Sequence, residues 1–355
     1  MPPTDTPRFA ILGATGAVGR ELIDLLVGRG FDADRVRLLA SPRSAGLEVS
    51  RPGFRGRVEA VNADAFRDVD IAFFSAGGGV SREWAPAAVA AGATVIDNSS
   101  AFRMDPAVPL VIPEINPHAV AGWAGPGIIA NPNCSTILAL MAVTPLKRSA
   151  GIERMVVSTY QAASGAGAAL MAELEQQARD FAAGHPWTTD VSGRQYLFNV
   201  FSHDSPVGPD GSNEEESKLV RETHKIWDDD TVRITATCVR VPVLRAHCEA
   251  INLTLRSPMP EAAVRDAIGS AGGVQIVDDR EAGRFPEPIL AAGLSDVLVG
   301  RIRADRSQAP GIGYDLFLAG DQLLKGAALN AVQIAELLLG GSDATAANAE
   351  TTRDA

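Results

Sequence analysis

Hydrophobic residues along this chain fall into two textures. Over the first third, short apolar runs end at glycine or serine and give way to stretches with apolar residues at helical spacing. "RFAILGA" leads into "AVGRELIDLLVGRG", and "RVRLLAS", "DIAFFSA" with "GGGVSREWAPAAVAAG", and "TVIDNSS" continue the alternation. Strands alternating with helices predict a Rossmann-like, doubly wound parallel sheet within residues 1–130, starting at about residue 7. From there the runs lengthen and alternate: "RMVVSTYQAAS", "TVRITATCVRVP", "RAHCEAINLTLR", "DVLVGRIRAD" and "GYDLFLAGD" are rich in Thr, Tyr and Arg. They predict a second, α+β domain over 131–321 with a largely antiparallel sheet, interrupted by a long polar stretch at about 184–216. "LLKGAALNAVQIAELLLGG" predicts one more amphipathic helix, assigned with 322–342 to the first domain. Residues 343–355 have no apolar residues to bury beyond alanine and are expected to be a disordered tail.

Composition narrows the function classes. The 355 residues, 46% hydrophobic and 21% charged, are ordinary for a soluble chain with sizeable cores. No apolar stretch approaches the ~18 residues of a membrane span, and "MPPTDTPR" has no secretory pattern, so a cytosolic location is expected. A net charge of −11 without a long basic run argues against nucleic-acid binding. The three cysteines, Cys134, Cys238 and Cys248, are irregularly spaced, which suits reduced thiols. Small-molecule chemistry is the expectation, with no metal.

Gly13, Gly16 and Gly19 in "LGATGAVGRELI" stand between a predicted strand and helix, where N–H groups and the helix dipole favour a pyrophosphate. The bland alternative is a tight turn with close helix packing and no ligand. After the second strand, "LLASPRSAG" offers Ser41, Arg43 and Ser44 and no acid to hold ribose hydroxyls. That set suits a 2′-phosphate, hence NADP, although Arg43 is equally readable as a solvated loop charge.

In "NPNCSTILALM", Cys134 opens a predicted helix, where the dipole favours a thiolate. A lone cysteine is more often buried and inert. Its glycine-free, Asn-rich turn belongs at the C-terminal edge of the parallel sheet, the edge where such folds bind ligands, which favours chemistry. In "CVRVPVLRAHCEAINL", Arg240 and His247 flank a turn, and strand alternation sends Cys248 to the opposite face from His247. Glu215 and Lys218 in "NEEESKLVRETHKI" are one helical turn apart, an acid and base pair or a plain surface ion pair. Arg103 in "NSSAFRM" and Gln161 in "STYQAASGAG" are ambiguous singly.

Together these segments resemble the aspartate-semialdehyde dehydrogenase family over nearly the whole chain. "LGATGAVG", "SPRSAG", "DNSSAFRM", "VIPEIN", "NPNCSTI", "STYQAASGAG", "EESK", "RVPVLRAH" and "KGAALNAVQIAE" stand in the family's order. The resemblance implies Cys134 as nucleophile, Gln161 as the residue orienting the reacting group and His247 as general acid/base. It implies Arg240 as the clamp on the substrate carboxylate, Arg103 and Lys218 on the phosphate, and Glu215 on the amino group. For the cofactor it implies Gly13, Thr15, Gly16, Ala17, Val18 and Gly19 in the turn, then Ser41, Arg43 and Ser44, the loop from Ser75 to Gly77, Ser164, Gly165 and Asn330. The family pattern has Asn where this chain has Gln322, and no roles are assigned within 185–208.

The activity so implied is NADPH-dependent reduction of L-aspartyl 4-phosphate to L-aspartate 4-semialdehyde through a cysteine thioester, by a homodimer joined through the second domain. N-acetyl-γ-glutamyl-phosphate reductase runs the same chemistry on a longer substrate and is the near alternative. A catalytically dead relative that only binds nucleotide is the distant one.

Overall fold

The computed structural model describes residues 7–340. The chain divides into two compact units: one runs to Asn133 and resumes at Ala327, the other is Cys134–Gly326. The segment 343–355, expected to be a tail, lies outside the described residues.

The first unit contains β1 (Phe9–Leu12), α1 (Ala17–Gly28), β2 (Val36–Ala40), β3 (Glu48–Arg51), β4 (Phe54–Ala60), β5 (Ile71–Phe74), α2 (Gly78–Ala90), β6 (Thr94–Asp97) and β7 (Gly127–Ala130). Its sheet has the order β3-β4-β2-β1-β5-β6-β7, parallel except for the β3–β4 hairpin. All four residues of β1 are buried because both sheet faces are covered. Phe9 and Ile11 pack with Leu22, Ile23 and Leu26 of α1 and with Val332 and Ile334 of the helix Leu329–Leu338. Ala10 and Leu12 face Ala85 and Ala88 of α2 on the other side. Each fully buried Leu or Ile here contributes ~1.5–3 kcal/mol of transfer free energy. The predicted parallel sheet is present. The reading missed β7 and the β3–β4 hairpin, where Phe54 and Val58 are the buried anchors among mainly polar neighbours. The last helix, expected to be amphipathic, is buried from Leu329 through Ala335 and follows a π-helical turn, Leu324–Ala328.

The second unit contains α3 (Cys134–Ala150), β8 (Ile152–Gln161), α4 (Ala168–Ala183), β9 (Phe201–Ser202), α5 (Glu214–Trp227), β10 (Arg233–Arg240), β11 (His247–Leu255), α6 (Glu261–Gly269), β12 (Val274–Ile276), β13 (Val297–Ala304) and β14 (Gly313–Gly320). The sheet order is β12-β13-β14-β11-β8-β10-β9. Four of its pairings are antiparallel, but β8 with β10 and β12 with β13 are parallel. The β8-to-β10 connection contains α4 and α5, long enough for the crossover that parallel strands require. Helix α3 lies on β8, β11, β13 and β14 and is buried all round from Ser135 to Thr144.

Candidate active site

In the first unit, the chain runs from β1 to β2 on one side and returns to β5 on the other, so the turns after β1 and β5 flank the switch point where such sheets bind ligands. Gly13 has φ +97°, and a side chain there would meet the Ser75 Oγ at 2.8 Å. At Gly19 a Cβ would come within 2.3 Å of the Gly13 carbonyl oxygen. These two glycines are therefore required by packing, whatever they bind. Gly16 and Gly77 precede α1 and α2, and neither helix start is capped by a side chain, so their first-turn N–H groups suit an anion. Thr15, Ala17, Val18 and Ser75 are partly exposed around these turns. Ser41, Arg43 and Ser44 form a short 3-10 turn after β2, with Arg43 exposed and no acid beside it in sequence.

Two other expected residues of this unit are tied into its framework. Buried Arg103 donates from Nε to the Asn131 carbonyl (2.9 Å) and from Nη2 to that of Asn98 (2.7 Å). Asn330 donates to the Val111 carbonyl (2.9 Å) and the Asn131 Oδ1 (2.7 Å).

The second unit gathers the rest at the end of its sheet. Parallel pairing sets Gln161, the last residue of β8, level with Arg240, the last of β10. Antiparallel pairing brings the start of β11, with His247, beside the same end of β8. Alternation then sorts the cysteines: Cys248 packs with Ala246, Leu298 and Ala319, and His247 points the other way. Cys238 and Cys248 are buried, and burial pushes both thiols up, Cys248 to about 12. Cys134 is only half-buried, at the first residue of α3. Gly326, in the π turn, lies so close that a Cβ there would be 2.9 Å from the Cys134 Cβ.

His247 is fully buried, and its Nδ1 accepts the Ala162 N–H at 3.0 Å. The neutral ring therefore carries its proton on Nε2, which has no hydrogen-bond partner among the described residues. Burial, and then the Arg240 charge, lower the imidazole pKa to about 3, so the ring stays neutral. At Gly165, a Cβ would lie 3.0 Å from His247 Nε2 and 3.2 Å from Arg240 Nη1. The missing side chain leaves a cradle faced by both groups.

Helix α5 delivers the acid. Asn213 and Glu216 form a reciprocal capping box, Oδ1 accepting the Glu216 N–H and Oε2 the Asn213 N–H, which fixes the first turn containing Glu215. Glu215 is buried and accepts from Gln161 Nε2 (3.1 Å) and Lys218 Nζ (3.3 Å). The Glu215–Lys218 pair is thus part of a buried network rather than a solvated face.

Several participants were not legible beforehand. Gln322 is buried and bridges the site, donating to Ser164 Oγ and accepting the Ala246 N–H at 2.9 Å. That bond holds Ala246 at φ +75°, a left-handed conformation that costs a residue with a Cβ ~1–2 kcal/mol. Glu249, fully buried two residues after His247, has its carboxyl pKa raised well above the usual range by burial and then by Glu215. Asp204 contacts Arg240.

Two family models match the chain: semialdehyde dehydrogenase, NAD binding domain, over residues 8–123, and semialdehyde dehydrogenase, dimerisation domain, over 143–325. An aspartate-semialdehyde dehydrogenase of Synechocystis is 52% identical over 94% of this chain and 97% of its own length. The chain belongs to the aspartate-semialdehyde dehydrogenase family. A relative in this family from Aquifex aeolicus is 45% identical, over 94% of this chain and 98% of that protein. The crystal structure of aspartate semialdehyde dehydrogenase II from Vibrio cholerae complexed with ASA superposes with a TM-score of 0.90 at 42% identity, covering 96% of this chain and all of that one. The family fold, an NAD-binding unit followed by a unit with a largely antiparallel sheet, is the one observed. Among the described residues no helix is long and apolar enough to cross a membrane.

Proposed function

We propose that this chain reduces L-aspartyl 4-phosphate to L-aspartate 4-semialdehyde and phosphate with NADPH, acting as a cytosolic homodimer in lysine, diaminopimelate, methionine and threonine biosynthesis. The observation that carries the reading is the cradle at Gly165, faced by the Nε2 of a buried neutral histidine and the Nη1 of a buried arginine. A histidine proton for a developing oxyanion and a guanidinium for a carboxylate are what this substrate requires.

Cys134 attacks the acyl carbon, the C–O bond to phosphate breaks, and a thioester forms on sulfur. Backbone N–H groups at the start of α3 steady the oxyanion of that addition. Arg240 holds the substrate α-carboxylate, Glu215 its ammonium, and Lys218 and Arg103 the phosphate. Gln161, fixed between Thr159 and Glu215, orients the acyl group. The hydride that reduces the thioester is what a bound nicotinamide supplies. The Nε2–H of His247 hydrogen-bonds the oxyanion of the resulting thiohemiacetal, and collapse of that oxyanion re-forms C=O as the C–S bond breaks, giving the aldehyde and the Cys134 thiolate. The uncapped starts of α1 and α2 fit a pyrophosphate, and Arg43 without a competing acid fits a 2′-phosphate.

A coupled assay following NADPH formation tests the proposal, using aspartate semialdehyde and N-acetylglutamate semialdehyde with and without phosphate. Phosphate-dependent turnover of the first alone is expected; turnover of the second would move the chain to the sister activity, and none of either would sink the catalytic reading. Within that assay Arg43→Ala should raise KM for NADP about tenfold and leave that for NAD unchanged. Equal rises would leave Arg43 a structural charge only.

A further inference from the structure

The polar stretch 184–216 carries one side chain that the proposed mechanism does not use. Asp204 reaches Arg240 with a single oxygen: Oδ1 accepts from Nε at 3.1 Å and forms an ion pair with Nη2 at 3.1 Å. The third nitrogen of the fork, Nη1, points elsewhere, toward the Ala162 carbonyl at 3.4 Å and the open face of Gly165. The Arg240 side chain is 5% exposed, whereas that of Asp204 is 49% exposed.

We propose that Asp204 is a positioning residue for Arg240, holding the Nε and Nη2 edge of the guanidinium so that Nη1 faces the Gly165 cradle beside His247 Nε2. The inference rests on the reading of Arg240 as the carboxylate clamp. It extends that reading by naming what aims the clamp.

Asp204 is itself fixed. β9 pairs with β10 so that Phe201 stands opposite Arg240, and the His203 N–H donates to the Cys238 carbonyl at 2.8 Å. Immediately after Asp204, the Ser205 N–H donates to His203 Nδ1 (3.2 Å), and Ser205 Oγ accepts the Glu215 N–H (3.1 Å). Residues 203–205 are thus pinned on both sides, to β10 and to the start of α5. One short segment thereby orients the groups proposed for both charged substituents of the substrate's α-carbon, Arg240 and Glu215.

A guanidinium held along one edge by a carboxylate keeps its plane when the opposite edge is used, so the substrate carboxylate meets a fork already turned to receive it. Asp204 carries its charge in neutral solution: burial opposes ionisation, but the Arg240 charge and then His203 hold its carboxyl below the usual range.

The test compares Asp204→Ala, Asp204→Asn and Arg240→Lys, measuring kcat and KM for aspartate semialdehyde and KM for NADP. Asp204→Ala should raise the semialdehyde KM about tenfold, the scale of a misaimed binding group, with kcat within about twofold and the NADP KM unchanged. Asp204→Asn keeps an amide oxygen for the Nε donor and should recover most of the loss. An unchanged semialdehyde KM, a lowered one, or a fall in kcat alone each overturns the proposal; a lowered KM would mean that Asp204 competes with the substrate carboxylate. Arg240→Lys separates the two levels. If it leaves the semialdehyde KM unchanged, the clamp reading fails and the Asp204 role with it; if it raises KM while Asp204→Ala does not, only the Asp204 role falls.

Discussion

The glycine turns of the first unit and the His247–Arg240 cluster of the second are built from opposite materials. The first relies on backbone: N–H groups at two uncapped helix starts, with Gly13 and Gly77 in positive-φ turns and Gly19 allowing close packing. Its requirements are local, so a dozen consecutive residues display them. The second relies on side chains from five places, Cys134 on α3, Gln161 on β8, Glu215 on α5, Arg240 on β10 and His247 on β11, joined by sheet register. A backbone site tolerates side-chain changes and fails when a Cβ intrudes. A side-chain site fails residue by residue, each loss with its own signature.

The largest expected effect exploits that division. Cys134→Ser should abolish turnover, by at least roughly a thousandfold, because a hydroxyl at neutral pH is almost wholly protonated. NADP affinity should stay within twofold, because the glycine turns are separate elements. Peptide mapping after limited iodoacetamide should place the first label on Cys134, since Cys238 and Cys248 are buried with raised pKa values. First label on either of those with activity surviving would remove Cys134 from the mechanism.

Smaller in effect, and more diagnostic of the cluster, is Gly165→Ala. Its φ lies outside the left-handed region, so the backbone accepts alanine, but the new Cβ would lie 3.0 Å from a His247 ring that the Ala162 N–H pins. We expect kcat/KM for the semialdehyde to fall about a hundredfold with little change in thermal stability. Gly13→Ala is the counterpart: at φ +97° and against the Ser75 backbone it should lower stability and nucleotide affinity together. If Gly165→Ala keeps full activity, the cradle is not where substrate reacts.

The same contrast explains what the sequence disclosed. The parallel sheet, the glycine turn and Cys134 at a helix start were legible because each is set by residues adjacent in the chain. So was the opposed orientation of His247 and Cys248, which follows from strand alternation alone. Strand direction was not: alternation in "TVRITATCVR" is the same whether β10 runs with β8 or against it, and it runs with it. Asp204 and Gln322 were illegible because their partners are 36 residues away for Arg240 and 158 for Ser164. The helix Leu329–Leu338 was expected to be amphipathic, whereas its polar Asn330 and Gln333 are buried too; Asn330 bonds Asn131 and Val111, and Gln333 bonds Glu114.

The smallest effect concerns acid stability, and it should belong to the second unit. His247 titrates near 6.5 when unfolded but at about 3 when folded, because burial first and the Arg240 charge second disfavour its cation. His203, half-hidden beside it, is lowered for the same two reasons. Between these values the unfolded chain binds a proton that the folded chain refuses, so stability is full above pH 6.5 and falls as pH drops below it. For His247 alone the loss from pH 7 to 5 is ~2 kcal/mol. The depressed carboxylates, such as Asp204 and Asp305, matter mainly below this window, but Glu249, whose carboxyl is raised by burial, takes up a proton in the folded state within it and opposes the loss, so the histidine is isolated only by comparison with a His247 variant. Hydrogen exchange at pH 7 and pH 5 in the wild type and in His247→Gln, which share Glu249, therefore reads the histidine's contribution to protection in β11. In His247→Gln, which cannot be protonated, the decline in β11 should be smaller, even if the variant is less stable at pH 7. Equal declines in wild type and variant would mean that His247 is not held neutral, and would remove the basis for its Nε2–H as the donor to the thiohemiacetal oxygen.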